Sequence, residues 1–211
     1  MRRLFAVLVV LALLVVGADF ALKFLGEYWV ARELQAKLEL STRPDVSLEG
    51  FPFIPHLISG EFDEVRLRSG PSEVKGIELE AVELDLRQVR FSSRQLVAGG
   101  EATIRGEEGD GHITLTGRGV TEALNRANIP LRVRFVDGQV GIGSPQLGIE
   151  GRAELSTSGG RLVLTPAGFP RIFSFPLPEL VPGVDYTTAE VRGEEAEVAF
   201  SVDKPTFEVS T

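Results

Sequence analysis

Gly50-Phe51-Pro52-Phe53-Ile54-Pro55, followed by Gly60-Glu61-Phe62-Asp63-Glu64-Val65, lies just past Pro44, where the chain changes from helical to alternating periodicity. Two phenylalanines flank a proline, which predicts that no helix forms here and that both rings are held on a stiff, extended backbone. Gly50 and Gly60 supply the tight turns such a segment needs. Rings on irregular chain read in two ways. They plug the end of a β-structure, or they form the wall of an apolar cavity.

Downstream the pattern is that of strands. Val65 and Leu67 alternate with Arg66 and Arg68, and Ile77 and Leu79 alternate with glutamates. The phase then slips by one, so that Val82, Leu84 and Leu86 carry the apolar face, which predicts a β-bulge and a curved sheet. Ala102 with Ile104, and Ile113 with Leu115, make shorter strands. Asp137-Gly138 between Leu131–Phe135 and Val140–Ile142 predicts a hairpin, as does Ser158-Gly159-Gly160 further on. A last ribbon runs from Val184 to Val202 with its turn near Gly193. Only Thr121–Ala127 reads as a short helix. The sum is an antiparallel sheet of roughly eight to ten strands.

Upstream, the spacing predicts a helix from Asp19 to about Leu40, with Phe20, Phe24, Ala31, Leu34 and Leu38 on the face that covers the sheet. Ser41-Thr42-Arg43-Pro44 stops it. Arg2 and Arg3 precede an unbroken apolar run from Leu4 to Val16 and the small residues Gly17 and Ala18. Residues 1–18 therefore read as a signal peptide cleaved after Ala18 or as a signal anchor, extending over residues 4–25 if retained. Either way residues 19–211 form a single β-rich domain, exported to the cell envelope or periplasmic space, with the arginines on the cytoplasmic side. Tyr28 and Trp29 mark a membrane interface or pack on the sheet.

The formal charge of −8 argues against nucleic acid and against electrostatic adhesion to anionic lipid. Reactive chemistry is sparse. Cysteine is absent and there are two histidines, His56 and His112, far apart in sequence. No nucleophile elbow, phosphate-cradling loop or dinucleotide fingerprint occurs. An ester hydrolase built on His56 ranks last among the readings. Glu107-Glu108-Gly109-Asp110-Gly111 reads as a solvated hairpin tip and lacks calcium-loop spacing. The expectation is a protein that is not an enzyme, with no cofactor and no metal.

A second segment mixes aromatic residues with proline: Phe169-Pro170-Arg171-Ile172-Phe173-Ser174-Phe175-Pro176-Leu177-Pro178, continuing through Glu179-Leu180-Val181-Pro182-Gly183. It too cannot pair fully in a sheet. Two such segments, an export signal and a bulged sheet together favour the apolar cavity.

Arg43-Pro44-x-Val46, Gly50-Phe51-Pro52-Phe53, Gly60-x-Phe62-x-x-Val65 and Pro176-Leu177-Pro178-Glu179-Leu180-x-Pro182-Gly183 resemble the LmeA-like phospholipid-binding family of actinobacterial cell envelopes. The resemblance implies an α+β fold similar to tubular lipid-binding proteins, in which a curved, mostly antiparallel sheet wraps a long N-terminal helix. It also implies a phospholipid partner and a part in envelope biogenesis. On that reading Phe51, Phe53, Ile54, Phe62, Phe173, Phe175 and Leu177 line or gate a groove for acyl chains. The alternative is a non-catalytic envelope scaffold that docks a protein partner through the same aromatic-proline loops.

Overall fold

In the computed structural model of the protein, residues 2–37, 41–92 and 101–210 are described, and the fold is α+β. Helix α1 (Arg2–Lys37) is followed by β1 (Asp45–Glu49), α2 (Phe53–Ser59), β2 (Glu61–Ser69), β3 (Ser72–Val74), β4 (Ile77–Leu79) and β5 (Ala81–Phe91). Next come β6 (Glu101–Arg105), β7 (Glu108–Thr116), α3 (Gly117–Arg126), β8 (Arg132–Val136), β9 (Gln139–Ser144) and β10 (Ile149–Ser158). The chain ends with β11 (Arg161–Pro166), β12 (Phe173–Pro176), β13 (Val184–Arg192), β14 (Glu195–Asp203) and β15 (Thr206–Ser210).

The strands form an 8-stranded sheet ordered β1-β2-β5-β7-β14-β13, with β6 and β15 attached beside it, and a 5-stranded sheet ordered β12-β11-β10-β9-β8. A small β3–β4 ribbon completes the set, and all pairings are antiparallel. The expected hairpins are present. Asp137 and Gly138 both take positive φ (50° and 75°) between the paired residues Val136 and Gln139, and Gly159-Gly160 do the same between Ser158 and Arg161.

The phase slip between Leu79 and Val82 is not a bulge. There the chain leaves the small ribbon at β4 and enters the large sheet at β5, so each side of the slip belongs to a different sheet. The irregularity that shapes the large sheet lies further along. In β5 the buried residues run Val82, Leu84, Leu86 and then Val89, while in the facing β2 Phe62 is followed inward by Val65. Both strands change phase at the opposed positions Asp63 and Gln88, and Gln88 has φ of 50°. The next two strands are interrupted at the same level. β6 and β7 are separated at Gly106-Glu107, β14 and β15 at Lys204-Pro205, and Lys204 also has positive φ (47°). Glu107 N–H is held by Arg87 carbonyl oxygen (3.2 Å) and Gly106 N–H by Pro205 carbonyl oxygen (2.9 Å), so the breaks sit side by side. A crease thus crosses four strands, and bulges of this kind bend a sheet.

Two further expectations change. The acidic glycine stretch is no hairpin tip: Glu108–Gly111 lie inside β7, paired with β5 on one side and β14 on the other. Asp110 and Glu108 meet Arg87 across strands (2.8 and 3.8 Å), while a Cβ on Gly109 would come within 2.7 Å of the Leu86 side chain. Glycine at Gly109 and Gly111 therefore makes room for Leu86 and Phe200 to lean over the strand. The short helix α3 begins four residues earlier than expected, because Thr116 caps it by accepting from Gly119 N–H (3.1 Å).

Helix α1 continues unbroken through Ala18. Its docked face also differs from the expected one. Asp19, Gly26, Val30, Ala31 and Leu34 turn toward the body, while Phe20 (58 % exposed) and Phe24 (68 % exposed) point away from it. Leu38 lies outside the described residues.

Candidate functional site

Pro52 does not keep this segment extended, since α2 starts immediately after it at Phe53. Pro55 falls in the first turn, where a backbone N–H has no intrahelical partner anyway, so its missing donor costs nothing. The N-cap residue, Pro52, has no side chain able to cap the helix. Asp19 on α1 supplies the cap from a distance: its carboxylate accepts from Phe53 N–H (2.8 Å) and Ile54 N–H (2.7 Å). Asp19 is 4 % exposed, so this is a buried anion placed at a helix N-terminus. At the other end Gly60 takes φ of 73° and its N–H closes onto the His56 carbonyl (2.9 Å). About two turns further along α1, Glu27 accepts from Leu48 N–H on the edge strand β1 (3.0 Å) and pairs with Lys23 (3.6 Å). Two acids of α1 thus pin the helix to α2 and to β1.

Between α1, α2 and the creased sheet lies a cavity of about 550 Å³. Its floor is the inward face of β2 and β5 on both sides of the crease, with Val65, Leu67, Val82, Leu84, Leu86 and Val89. Phe200 of β14, Ile104 of β6 and Phe207 of β15 extend that floor. The α1 wall carries Gly26, Trp29, Val30, Glu33 and Leu34, and the α2 wall carries Phe53 and Leu57. Leu180, Val181 and Pro182 close the far side. Polar groups on this surface are few; Glu33, Ser69 and Thr206 are the side chains that interrupt it. A row of rings runs along the crease. Phe53 and Phe62 lie 5.5 Å apart, and Phe62 stacks on Phe91 at 5.8 Å.

The expected site residues divide. Phe53 and Phe62 line the cavity. Phe51 does not; it is 67 % exposed and its ring rests on Phe20 at 5.9 Å. Ile54 follows Phe53 on α2 and also lies outside the lining. Phe173, Phe175 and Leu177 are buried elsewhere, in and after the edge strand β12, where Phe175 pairs with Leu162 and Phe173 with Leu164. From the second aromatic-proline segment it is Leu180–Pro182 that reach the cavity. Their signal in the sequence was the Leu-Val-Pro-Gly end of that segment. Trp29, Val30 and Leu34 were legible only as one side of a helix.

His56 is engaged structurally. Its Nδ1 lies 3.0 Å from the Glu61 carbonyl and its ring stacks on Phe62 at 6.0 Å. The nearby Ser59 hydroxyl donates to the His56 carbonyl, not to the ring. On the outer face of the sheet, charges are paired across strands. Arg66 reaches Glu64 (2.9 Å), Glu49 (3.6 Å) and Asp85 (4.0 Å), and its hydrogen bond holds the Glu64 carboxyl below the usual carboxylate range. Tyr186, buried beneath the second segment, donates to the Pro178 carbonyl (2.7 Å), and burial pushes its phenol well above the ordinary value.

A hollow of this size, floored by one bent sheet and roofed by one helix, falls within the roughly 300–1,000 Å³ range of small-molecule pockets. Its wall offers apolar area and almost no charge, which suits a hydrocarbon chain. No curated protein and no solved structure matches the chain. The family model for LmeA-like phospholipid-binding proteins matches residues 17–206, which begins at the docked part of α1 and runs through β14 to the first residue of β15. The chain belongs to the LmeA-like phospholipid-binding family.

Proposed function

We propose that the protein is an extracytoplasmic phospholipid-binding or lipid-carrying protein of the cell envelope, which holds acyl chain in the cavity beneath α1. The observation that supports this reading is the cavity itself, about 550 Å³ and lined almost wholly by apolar side chains, in a chain of a phospholipid-binding family. Each methylene moved out of water contributes about 0.8 kcal/mol, so one chain binds without any ion pair to its headgroup. Phe53, Phe62 and Phe91 contact the chain along the crease, and Glu33 and Thr206 stand among the few groups able to meet a polar end. Arg2 and Arg3 ahead of an apolar helix support a body outside the cytoplasmic membrane, with α1 as signal or anchor.

Native mass spectrometry of gently purified full-length protein tests this. The expected spectrum carries an adduct of phospholipid mass, lost in Val65→Trp, which fills the floor of the cavity. Protein that is free of lipid and takes up none from added phospholipid vesicles overturns the reading.

A further inference from the structure

Helix α1 has two halves with opposite surroundings. From Val9 to Val16 every residue is exposed, and Leu11, Leu13 and Leu14 are 56 %, 67 % and 65 % exposed. A helix that is apolar on all sides and covered by nothing is stable in hydrocarbon, not in water. At about 1.5 Å per residue the stretch from Arg2 to Ala18 is about 26 Å long, close to the roughly 30 Å hydrocarbon core of a bilayer. The first charge beyond it, Asp19, is where the body begins.

That charge does not face outward. Its carboxylate is turned onto the N–H groups of Phe53 and Ile54, and it is 4 % exposed. The outer surface of the helix therefore stays apolar for almost two more turns, through Phe20, Leu22, Phe24 and Leu25, all at least 40 % exposed. Phe51 joins this surface from the loop before α2, with its ring against Phe20. Lys23, the one cation in this stretch, is paired with Glu27.

We infer that the face formed by Phe20, Phe24 and Phe51 is seated in the surface of a phospholipid bilayer, so that the body rests directly on the membrane that α1 enters. The inference rests on the anchor reading above but not on lipid in the cavity. Its occupant is a bilayer, because the patch is continuous with a helix of bilayer length and shares its lack of charge. It has a geometric consequence. Gly26 and Trp29, which line the cavity, lie within about two helical turns of Phe24, so the α1 side of the cavity stands immediately above the lipid surface. A chain leaving the bilayer would reach the cavity without crossing water. Because the chain carries a charge of −8, the attachment is apolar and insensitive to salt.

The absence of cysteine makes the test direct. Full-length Phe51→Cys and Phe24→Cys, each labelled with a polarity-sensitive fluorophore, are reconstituted into phosphatidylethanolamine–phosphatidylglycerol vesicles containing nitroxide-labelled lipid. Val136→Cys, at the exposed end of β8 in the 5-stranded sheet, is the reference. The expected result is a blue shift and several-fold quenching at positions 51 and 24, little at 136, and no change at high salt. Equal water exposure at 51 and 136 overturns the inference. So does shielding at 51 without nitroxide quenching, which would mean that a protein or a second copy covers the patch. Native mass spectrometry of the same variants reads the cavity separately, so loss of membrane seating with retained cavity lipid refutes only the seating.

Discussion

The two aromatic-proline segments are alike in sequence and opposite in outcome. Each places phenylalanines beside prolines, each is hydrogen-bonded to a polar side chain outside it, and each contains a ring that is 1 % exposed, Phe53 in the first and Phe175 in the second. In the first, held by Asp19, the buried ring faces a void; in the second, held by Tyr186 and Arg161, the buried ring lies away from that void, which only Leu180–Pro182 of the segment reach. A buried ring becomes a cavity wall when the surface opposite it stands off, and here the surface opposite is the part of the sheet interrupted by the crease at Gln88 and Lys204, the kind of irregularity that bends a sheet. Beside β12 the 5-stranded sheet brings Leu162 and Leu164 alongside, both fully buried.

The sharpest way to break this comparison is to truncate both rings. Phe175→Ala removes a ring packed on all sides and is expected to cost about 3–5 kcal/mol. Phe53→Ala removes a ring that already borders a hollow and is expected to fall at or below about 3 kcal/mol, the lower end of that range. Urea unfolding of the two variants checks the order. Equal losses would mean that the cavity wall is as tightly packed as the core. Lipid content separates them further. Phe53→Ala is expected to change the lipid adducts seen by native mass spectrometry, whereas Phe175→Ala leaves them unchanged while it stays folded.

Next in size is the cap on the first segment. Asp19→Ala leaves the Phe53 and Ile54 N–H groups without their acceptors and is expected to cost about 1.5–3 kcal/mol, the range for hydrogen bonds to a charged group. Hydrogen exchange at those two amides should rise well beyond that of the strands. Asp19→Asn keeps a side-chain oxygen and is expected to recover part of the loss. If Asp19→Ala unfolds at the wild-type urea concentration, α2 is held by its apolar contacts alone.

These results bear on what the sequence could reveal. Alternation from Val65 onward, the turns at Asp137-Gly138 and Ser158-Gly159, and the presence of two aromatic-proline segments all follow from local chemistry, and the antiparallel α+β fold was legible from them. The crease was not. It depends on a positive φ at Gln88 and Lys204, residues with no special preference for that conformation, and on Gly106 and Pro205 meeting across strands. Phe53 and Phe175 could not be told apart locally because what differs is the neighbour, not the segment. Asp19 read only as the start of a helix, since its partners lie 34 and 35 residues away. Leu180–Pro182 were visible as part of the second segment, but only tertiary placement sends them to the cavity instead of Phe173–Leu177.

The smallest effect tests the tie on the second segment. Tyr186→Phe deletes the hydrogen bond to the Pro178 carbonyl while keeping the ring that packs edge-on against Phe200 at 5.7 Å, and should cost about 1 kcal/mol near neutral pH. The pH dependence distinguishes this residue from its surroundings. An unfolded tyrosine ionises near pH 10, whereas burial raises the value in the folded protein. The folded state therefore holds the phenol proton more firmly. Its stabilising contribution is full below about pH 10 and is lost as pH rises above it, at about 1.4 kcal/mol per unit. Tyr186→Phe has no such proton to lose. The gap between the two proteins should narrow above about pH 10 and close or reverse near pH 11. Urea midpoints at about pH 8 and about pH 11 measure it, and a gap that stays constant would mean that Tyr186 ionises as freely in the folded protein as in the unfolded chain.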